Sequence, residues 1–350
     1  MRRVRPPGIE PNSYTAAEKR ALAYQLKPIT DAEATADFRK LRAYDHYALN
    51  LSLIGNKAVD RFTYAERLDT TGSKGLSFFD LFAGRAAFDD AKYVQQTILY
   101  VHNRTTKPKP ECVAWRYVMD LYFGSIKIFR PLVAASIYTR FSPECVLDPT
   151  MGWGGRLVGA MALDVPHYIG IDNNLALERP YSEMVELFAP LTKTKATLLF
   201  KSALDVDYSL LDYDMVLTSP PYYNVECYGD AREPYASTEA WDADFYTPLF
   251  RRTYDGMRDG GRYCLNIPES IYERVCVPLF GPAHIFIELK KVKRRACKYG
   301  EFVYVWAKGS PAFDSLPKQT RPYMEEPEAT PAPAPHKAEE VRSRARQRRP

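Results

Sequence analysis

The chain has 350 residues, 46 % of them apolar, and a formal net charge of +5. That is enough apolar material for one large domain with an added module, or for two domains, and no run approaches the ~18 apolar residues of a membrane span. The charge is local: Arg342, Arg344, Arg346, Arg348 and Arg349 stand in the last ten residues without an acid, so residues 1–340 balance 43 basic against 43 acidic side chains. The folded body is therefore not a uniformly basic nucleic-acid binder, and any such surface on it has to be confined to a patch.

The start, MRRVRPPG, is basic, but no apolar stretch follows it, so a secretory signal is not expected. Pro6, Pro7 and Pro11 predict an extended arm leading to a short helix at Ala16–Leu26. Phe38, Leu41, Tyr44 and Tyr47 predict a helix within Asp31–Ser52, with Thr30 or Asp31 as its cap. Gly55 to Gly75 reads as polar and turn-rich. Gly72-Ser73-Lys74-Gly75 lacks the spacing and the Lys-Ser/Thr ending of a phosphate loop and is a plain turn. Phe78 to Val101 predicts one helix, with Phe82, Ala86, Tyr93, Ile98 and Leu99 on one side. His102–Pro110 is a basic, proline-ended linker. Residues 1–110 are thus an arm and a helical extension with a small core of their own, either packed against the rest, walling a substrate groove or forming a dimer surface.

A helix over Trp115–Phe123 leads to Ile128-Phe129-Arg130-Pro131, and a second runs over Leu132–Phe141. Cys145-Val146-Leu147 then reads as a strand. It ends in Asp148-Pro149 and opens into Gly152-x-Gly154-Gly155, with an amphipathic stretch from Arg156 to Leu163 directly behind. This strand–glycine turn–helix order is how an open α/β sheet brings bare backbone up to a cofactor, with Gly152 and Gly154 supplying positive φ. His167–Asp172 is a second strand ending in an acid, 24 positions after Asp148. An acid there suits the ribose hydroxyls of an adenosine-containing cofactor; the plainer reading is a helix cap. Tyr181–Phe188 predicts a helix, Ala196–Phe200 a third strand and Met215–Thr218 a fourth. The fourth runs into Ser219-Pro220-Pro221-Tyr222, where two prolines fix the backbone and remove two donors, leaving nearby carbonyls able to accept. Phe245–Met257 predicts a helix stopped at Asp259-Gly260-Gly261, Arg262–Ile267 a fifth strand, and Ala283–Leu289 with Phe302–Ala307 a terminal antiparallel pair.

Glycine turn, strand-tip acid and Ser-Pro-Pro-Tyr, in this order, resemble the S-adenosylmethionine-dependent amino-methyltransferases that methylate an exocyclic nitrogen of a nucleobase, adenine N6 or cytosine N4. Their motifs read roughly Asp-Pro-Phe-x-Gly-x-Gly and (Asp/Asn/Ser)-Pro-Pro-(Tyr/Phe/Trp). The likeness covers about Phe129 to Lys308. Thr150 in place of Phe, and Trp153-Gly154-Gly155-Arg156 in place of a small-residue run, depart from it. Gly-Trp-Gly-Gly-Arg with Ser-Pro-Pro-Tyr-Tyr is most similar to phage and large-DNA-virus enzymes. The resemblance implies an α/β, Rossmann-like class I methyltransferase sheet, mostly parallel with the last strand antiparallel, over residues 111–310. It implies S-adenosyl-L-methionine as cofactor and S-adenosyl-L-homocysteine as product. Asp148, Pro149, Thr150, Gly152 and Gly154 would hold that cofactor at the glycine turn, and Asp172 with Asn173 at the ribose. Asp205 would accept from the adenine amino group, unless it is only a helix cap. Arg130 and Pro131 would lie near the methionine carboxylate, with a solvated helix start as the equal reading of Arg130. The Ser219 side chain and the Pro220 carbonyl would take the two N–H groups of the target amine, Pro221 would fix the turn, Tyr222 would stack on the base, and Tyr223 would assist. Serine at 219 points to cytosine and the motif order to adenine, with adenine ahead. An RNA base, a protein glutamine or an inactive binding module are the rival readings.

Lys290, Lys291, Lys293, Arg294, Arg295 and Lys298 put six cations in nine positions with no acid. On the last hairpin of the resembling fold they would meet nucleic-acid phosphates, the alternative being a solvated hairpin tip. From Pro311 on, Pro, Glu and Ala dominate before the arginine tail, a composition that cannot bury a core. The tail suits a non-specific tether or a nuclear-import signal, so the expected location is cytoplasmic or nuclear. The six cysteines (Cys112, Cys145, Cys227, Cys264, Cys276, Cys297) show no Cys-x-x-Cys pair and read as reduced thiols, with no metal site. DNA is the expected partner ahead of RNA, with no membrane partner; a homodimer and a cognate endonuclease stay open.

Overall fold

Cys145–Asp148 forms β1, whose four residues are all buried, as befits a central strand with helices on both faces. The computed structural model describes residues 8–46, 52–72, 74–104, 109–124, 126–223, 235–289 and 301–309. β2 (His167–Asp172) pairs parallel with β1, and β3 (Lys195–Phe200) with β2; on the other side β4 (Met215–Thr218) pairs with β1 and β5 (Arg262–Asn266) with β4. The remaining strands, β6 (Ile285–Leu289) and β7 (Glu301–Ala307), run antiparallel, β7 against β5 and β6 against β7. The order β3-β2-β1-β4-β5-β7-β6 is the class I methyltransferase sheet expected above. It reverses between β1 and β4, and an open α/β sheet binds its ligands at the carboxyl side of that reversal.

Two cores flank the sheet. On one face α2 (Asp31–Arg42), α3 (Asn56–Asp69), α7 (Pro131–Phe141), α8 (Gly155–Ala162) and α9 (Glu178–Phe188) bury Val146, Tyr168 and Leu217. Phe38 of α2 stacks on Phe188 of α9 with ring centroids 4.4 Å apart, so helices of the N-terminal extension share the core of the sheet. On the other face α10 (Thr238–Trp241), α11 (Thr247–Asp255), α12 (Glu269–Ile271) and α13 (Val277–Phe280) bury Leu147, Val216, Tyr263 and Trp306. A third cluster, with Phe78, Phe79, Trp115 and Phe123, joins α1 (Ala16–Leu26), α4 (Phe78–Ala83), α5 (Lys92–Asn103) and α6 (Glu111–Val118).

The structure corrects several expectations. The segment read as turn-rich contains α3, four turns long, because Ala58, Val59, Phe62, Ala65 and Leu68 recur at helical spacing and are buried beneath a charged outer face. The helix expected over Phe78–Val101 is broken into α4, a 3₁₀ turn at Arg85–Phe88 and α5; Gly84 and the Asp89-Asp90 pair interrupt it, both poor in a helix interior. The helix sought within Asp31–Ser52 is capped by Thr30, which accepts from the Glu33 amide at 3.2 Å while Glu33 accepts from the Thr30 amide at 3.0 Å. It ends at Arg42. Among the described residues no helix is long and apolar enough to cross a membrane.

Candidate active site at the strand tips

β1 delivers Asp148 to the carboxyl edge of the sheet with no exposed surface. Arg156, in the first turn of α8, donates from Nε to Oδ2 at 2.6 Å and from Nη2 to Oδ1 at 3.1 Å. Tyr168 of β2 donates to Oδ2 at 2.6 Å, and Thr218, the last residue of β4, to Oδ1 at 2.9 Å. Arg156 also donates to the Thr150 carbonyl, and the Thr150 hydroxyl lies 2.6 Å from that of Thr218. A carboxylate so surrounded has its acceptor capacity taken by the protein. Asp148 is thereby the anchor that ties β1, β2, β4 and α8 together beneath Pro149 and Thr150.

Above this anchor Gly152 has φ +58° and Gly154 φ +93°, a region that residues with a Cβ seldom enter. At Gly155 a Cβ would lie 1.8 Å from the Phe129 carbonyl oxygen, so the segment before α7 crosses the start of α8 at backbone contact. The hydroxyl of Tyr181, on α9, is 3.1 and 3.0 Å from the carbonyls of Met151 and Gly152. Thr63 donates to the Trp153 carbonyl at 2.9 Å. The unforeseen α3 therefore bears directly on the glycine turn.

Asp172, at the tip of β2, accepts from the Gly152 amide on Oδ2 and from the Asn174 amide on Oδ1, both at 2.9 Å. Burial pushes its carboxyl up to about 6, against the pull of those two amides. Each oxygen keeps a lone pair for one more donor, which suits two adjacent hydroxyls; Asn173 lies in the same turn. Asp205 is exposed at the end of the 3₁₀ turn Ala203–Asp205 beyond β3. Arg130 caps α7 through its carbonyl, which accepts from Val133 and Ala134 at 3.0 and 3.1 Å, and Pro131 takes the first helical position. Burial draws the Arg130 guanidinium down from its ordinary value, with Glu301 opposing.

Beyond β4 the Ser219 hydroxyl lies 2.7 Å from that of Tyr222 and 3.2 Å from Asn266 Oδ1. The Tyr222 hydroxyl is in turn 2.9 Å from the Asn266 carbonyl and 3.0 Å from its Oδ1. Asn266, 2 % exposed at the end of β5, donates from Nδ2 to the Phe302 carbonyl at 3.0 Å; that carbonyl can only accept, which turns Oδ1 toward the two hydroxyls. Sequence reasoning passed over Asn266, although its place at the next strand tip after Ser-Pro-Pro-Tyr is a usable signal. Tyr246 donates to the Pro221 carbonyl at 2.6 Å and accepts from the Tyr223 amide at 2.9 Å. Among the described residues nothing donates to the Pro220 carbonyl. Tyr223 has φ +48°, uncommon for a residue with a side chain. Its hydroxyl donates to Asp242 at 3.0 Å and is pushed up to about 12 by burial and by that bond.

These tips meet in a cavity of about 170 Å³ lined by Phe129, Gly152, Ser219, Pro220, Tyr222 and Asn266, among others. A larger one, about 630 Å³, lies between α1, α3 and α9. Most of its charges are paired with each other (Lys27 with Asp60, Arg61 with Asp31, Arg179 with Glu183), so the chemistry favours the smaller. Asp148, Asp172 and Asp205 do not line the smaller cavity, although Asp172 is joined to it through Gly152. Lys290, Lys291, Lys293, Arg294, Arg295, Lys298 and the arginine tail lie outside the described residues.

No family model matches the chain, and no curated protein matches it in sequence. Among solved structures, TrmN from Thermus thermophilus is similar with a TM-score of 0.36 and 17 % identity, over 58 % of this chain and 55 % of that one. The T. thermophilus 16S rRNA N2 G1207 methyltransferase RsmC, solved with AdoMet and guanosine, gives 0.35 and 20 % over 54 % and 45 %. An rRNA methylase from Streptococcus thermophilus gives 0.34 and 13 % over 52 % and 99 %. This chain thus spans about half the length of the first two. The likeness is distant and is one of fold.

Proposed function

We propose that the chain transfers a methyl group from S-adenosyl-L-methionine to the exocyclic amino nitrogen of a base in DNA, adenine ahead of cytosine. The observation that carries this reading is the single cavity in which Gly152 faces Ser219, Pro220 and Tyr222. The residues suit the cofactor: a Cβ added at Gly152 would meet nothing closer than 3.8 Å, so bare backbone faces the cavity, and the Asp172 oxygens keep acceptor capacity for a ribose diol. When bound, the cofactor supplies an electrophilic methyl on a sulfonium. Asp172 and the glycine turn would hold it, with Arg130 toward its carboxylate and Asp205 toward its adenine.

The lone pair of an aromatic amine is delocalised into its ring. Two acceptors, Ser219 Oγ and the Pro220 carbonyl, would take one N–H each and leave the nitrogen pyramidal with its lone pair directed at the methyl. Asn266 would hold the Ser219 and Tyr222 hydroxyls in register, and the Tyr222 ring would support the face of the base. No strong base would be needed before attack, since the carbon–sulfur bond would break as the carbon–nitrogen bond forms, the neutral thioether would leave, and the methylated nitrogen would then lose its surplus proton to water, so placement carries the rate. A duplex base cannot enter such a cavity and would have to be flipped or single-stranded. DNA as the substrate rests on the motif resemblance and on the basic run at 290–298.

The test is incubation with labelled cofactor and DNA, RNA or protein, followed by mass spectrometry of the digested product. N6-methyladenine or N4-methylcytosine from DNA is expected. Ser219→Ala with Tyr222→Ala should abolish transfer and keep cofactor binding. Full activity in that double variant, or label only in RNA or protein, would overturn the proposal.

A further inference from the structure

Ten large apolar or aromatic side chains stand exposed among the described residues. Six of them (Tyr93, Leu99, Tyr100, Tyr117, Leu121 and Tyr122) lie on α5, on α6 or in the π turn Met119–Phe123 that extends α6. Scattered exposed apolar side chains are ordinary, but such a concentration is not. Tyr93 and Tyr122 meet edge to face with ring centroids 4.7 Å apart, and the Tyr122 hydroxyl is 3.1 Å from that of Thr97, so this pair bridges the two helices. Tyr100 stands on the same side of α5 as Tyr93, two turns and about 10 Å further along. The Arg104 guanidinium lies over its ring at 5.0 Å. A π turn is itself frequent where a helix carries function.

Two further observations say what would cover these rings. Among the described residues His102, Arg104 and Lys109 follow the stripe with no acid between them, so its Arg104 end is basic. Tyr122 also precedes Lys127, a lining residue of the cavity that holds Ser219, by five positions, which span roughly 18 Å at most. Aromatic faces with cations beside them, a short chain length from the cavity proposed to take a base, match single-stranded nucleic acid, whose bases stack and whose phosphates seek cations. A second copy of this chain fits less well, since a two-fold contact would set the same basic run against itself.

We propose that Tyr93, Tyr100, Arg104 and Tyr122 form a stacking platform for the unpaired stretch of nucleic acid that leads into the Ser219 cavity. As regards the cavity, the proposal rests on the function proposed above; as regards binding, it stands alone. The experiment titrates the full chain, without cofactor, against a short fluorescein-labelled single-stranded oligodeoxynucleotide and follows anisotropy at two salt concentrations. Tyr100→Ala and Arg104→Ala should each weaken binding about 5- to 10-fold. Tyr100→Phe, which keeps the ring, should bind as the unaltered chain does, and cofactor affinity by calorimetry should be the same in all. Unchanged oligonucleotide affinity in both alanine variants would overturn the platform, as would a loss that only follows a change from dimer to monomer in light scattering. Platform-dependent binding in a chain that methylates no DNA would sink the proposed function and leave the platform. DNA methylation undisturbed in Tyr93→Ala/Tyr100→Ala, with full oligonucleotide affinity, would sink the platform alone.

Discussion

The tips of β1 and β4 lie side by side, paired at Val146–Met215 and Leu147–Val216, and are built on opposite principles. At β1 a wholly buried carboxylate is saturated by Arg156, Tyr168 and Thr218. At β4 the groups are neutral and partly buried: the Ser219 and Tyr222 hydroxyls lie 2.7 Å apart, one accepting from the other, with Asn266 Oδ1 within 3.2 Å of both. A saturated charge fixes geometry and has nothing left to offer a ligand, whereas a serine hydroxyl that takes part in one chain of hydrogen bonds keeps a lone pair that can accept from one. The contrast fits the proposal that the first tip holds the turn and the second grips the substrate.

The largest expected effect tests the first half of that contrast. Arg156→Met would leave Asp148 charged and buried with only hydroxyl donors, which typically costs about 3–5 kcal/mol. Chemical denaturation without ligand should show the loss, and Arg156→Lys should recover only part of it, since an ammonium cannot reproduce the two-pronged contact. A loss below about 1 kcal/mol would mean that the β1 tip is not an anchor. The second half is tested by Asn266→Ala, which frees the Ser219 and Tyr222 hydroxyls to turn. Transfer should fall on the order of 100-fold while cofactor affinity stays put. An equal fall in cofactor affinity would show the two tips to be one site without a division of roles.

A smaller effect is expected from Tyr246→Phe. It strips the donor from the Pro221 carbonyl and the acceptor from the Tyr223 amide, bonds of 2.6 and 2.9 Å, at a cost of about 1–3 kcal/mol. Tyr223, held at φ +48°, would lose one restraint, so transfer should suffer more than stability does. Unaltered transfer would show that the turn after Pro221 holds its shape by its prolines alone.

The strands, the glycine turn and the order of the sheet were legible because each carries a local signal: short apolar runs, positive-φ glycines, paired prolines. What stayed hidden depends on side-chain contacts that no local pattern announces. Arg156 reads as the first residue of an amphipathic helix, and nothing local says that it closes on Asp148. Asn266 reads as the end of a strand, and its partners are 47 and 44 positions away. α3 was hidden differently. Its apolar spacing is present, but six charged residues in fourteen lower its mean hydropathy and mask the stripe that packs on α9 and, through Thr63, on the glycine turn.

Asp172 stands at the hinge of the comparison, and its pH dependence is the finest test. Burial holds its carboxyl at about 6 in the free fold, above the ~3.9 of an unfolded Asp. The ionised form is therefore the less favourable one in the folded chain. That penalty is fully present above about pH 6 and is relieved as pH falls from there toward 4, where the fold takes up a proton before the unfolded chain does. Asp172 alone should thus make the free protein slightly more stable on mild acidification, the reverse of a salt-bridged carboxylate. Cofactor affinity should move the other way, because two ribose hydroxyls need an ionised acceptor, and it should approach a tenfold loss per pH unit below about 6. Calorimetric titrations and thermal melts on the same samples between pH 8 and pH 5 separate the two trends, and Asp172→Asn should flatten both. Affinity that holds constant across that range would remove Asp172 from the cofactor site, and with it the reading of the β2 tip as the place where a ligand is held by charge.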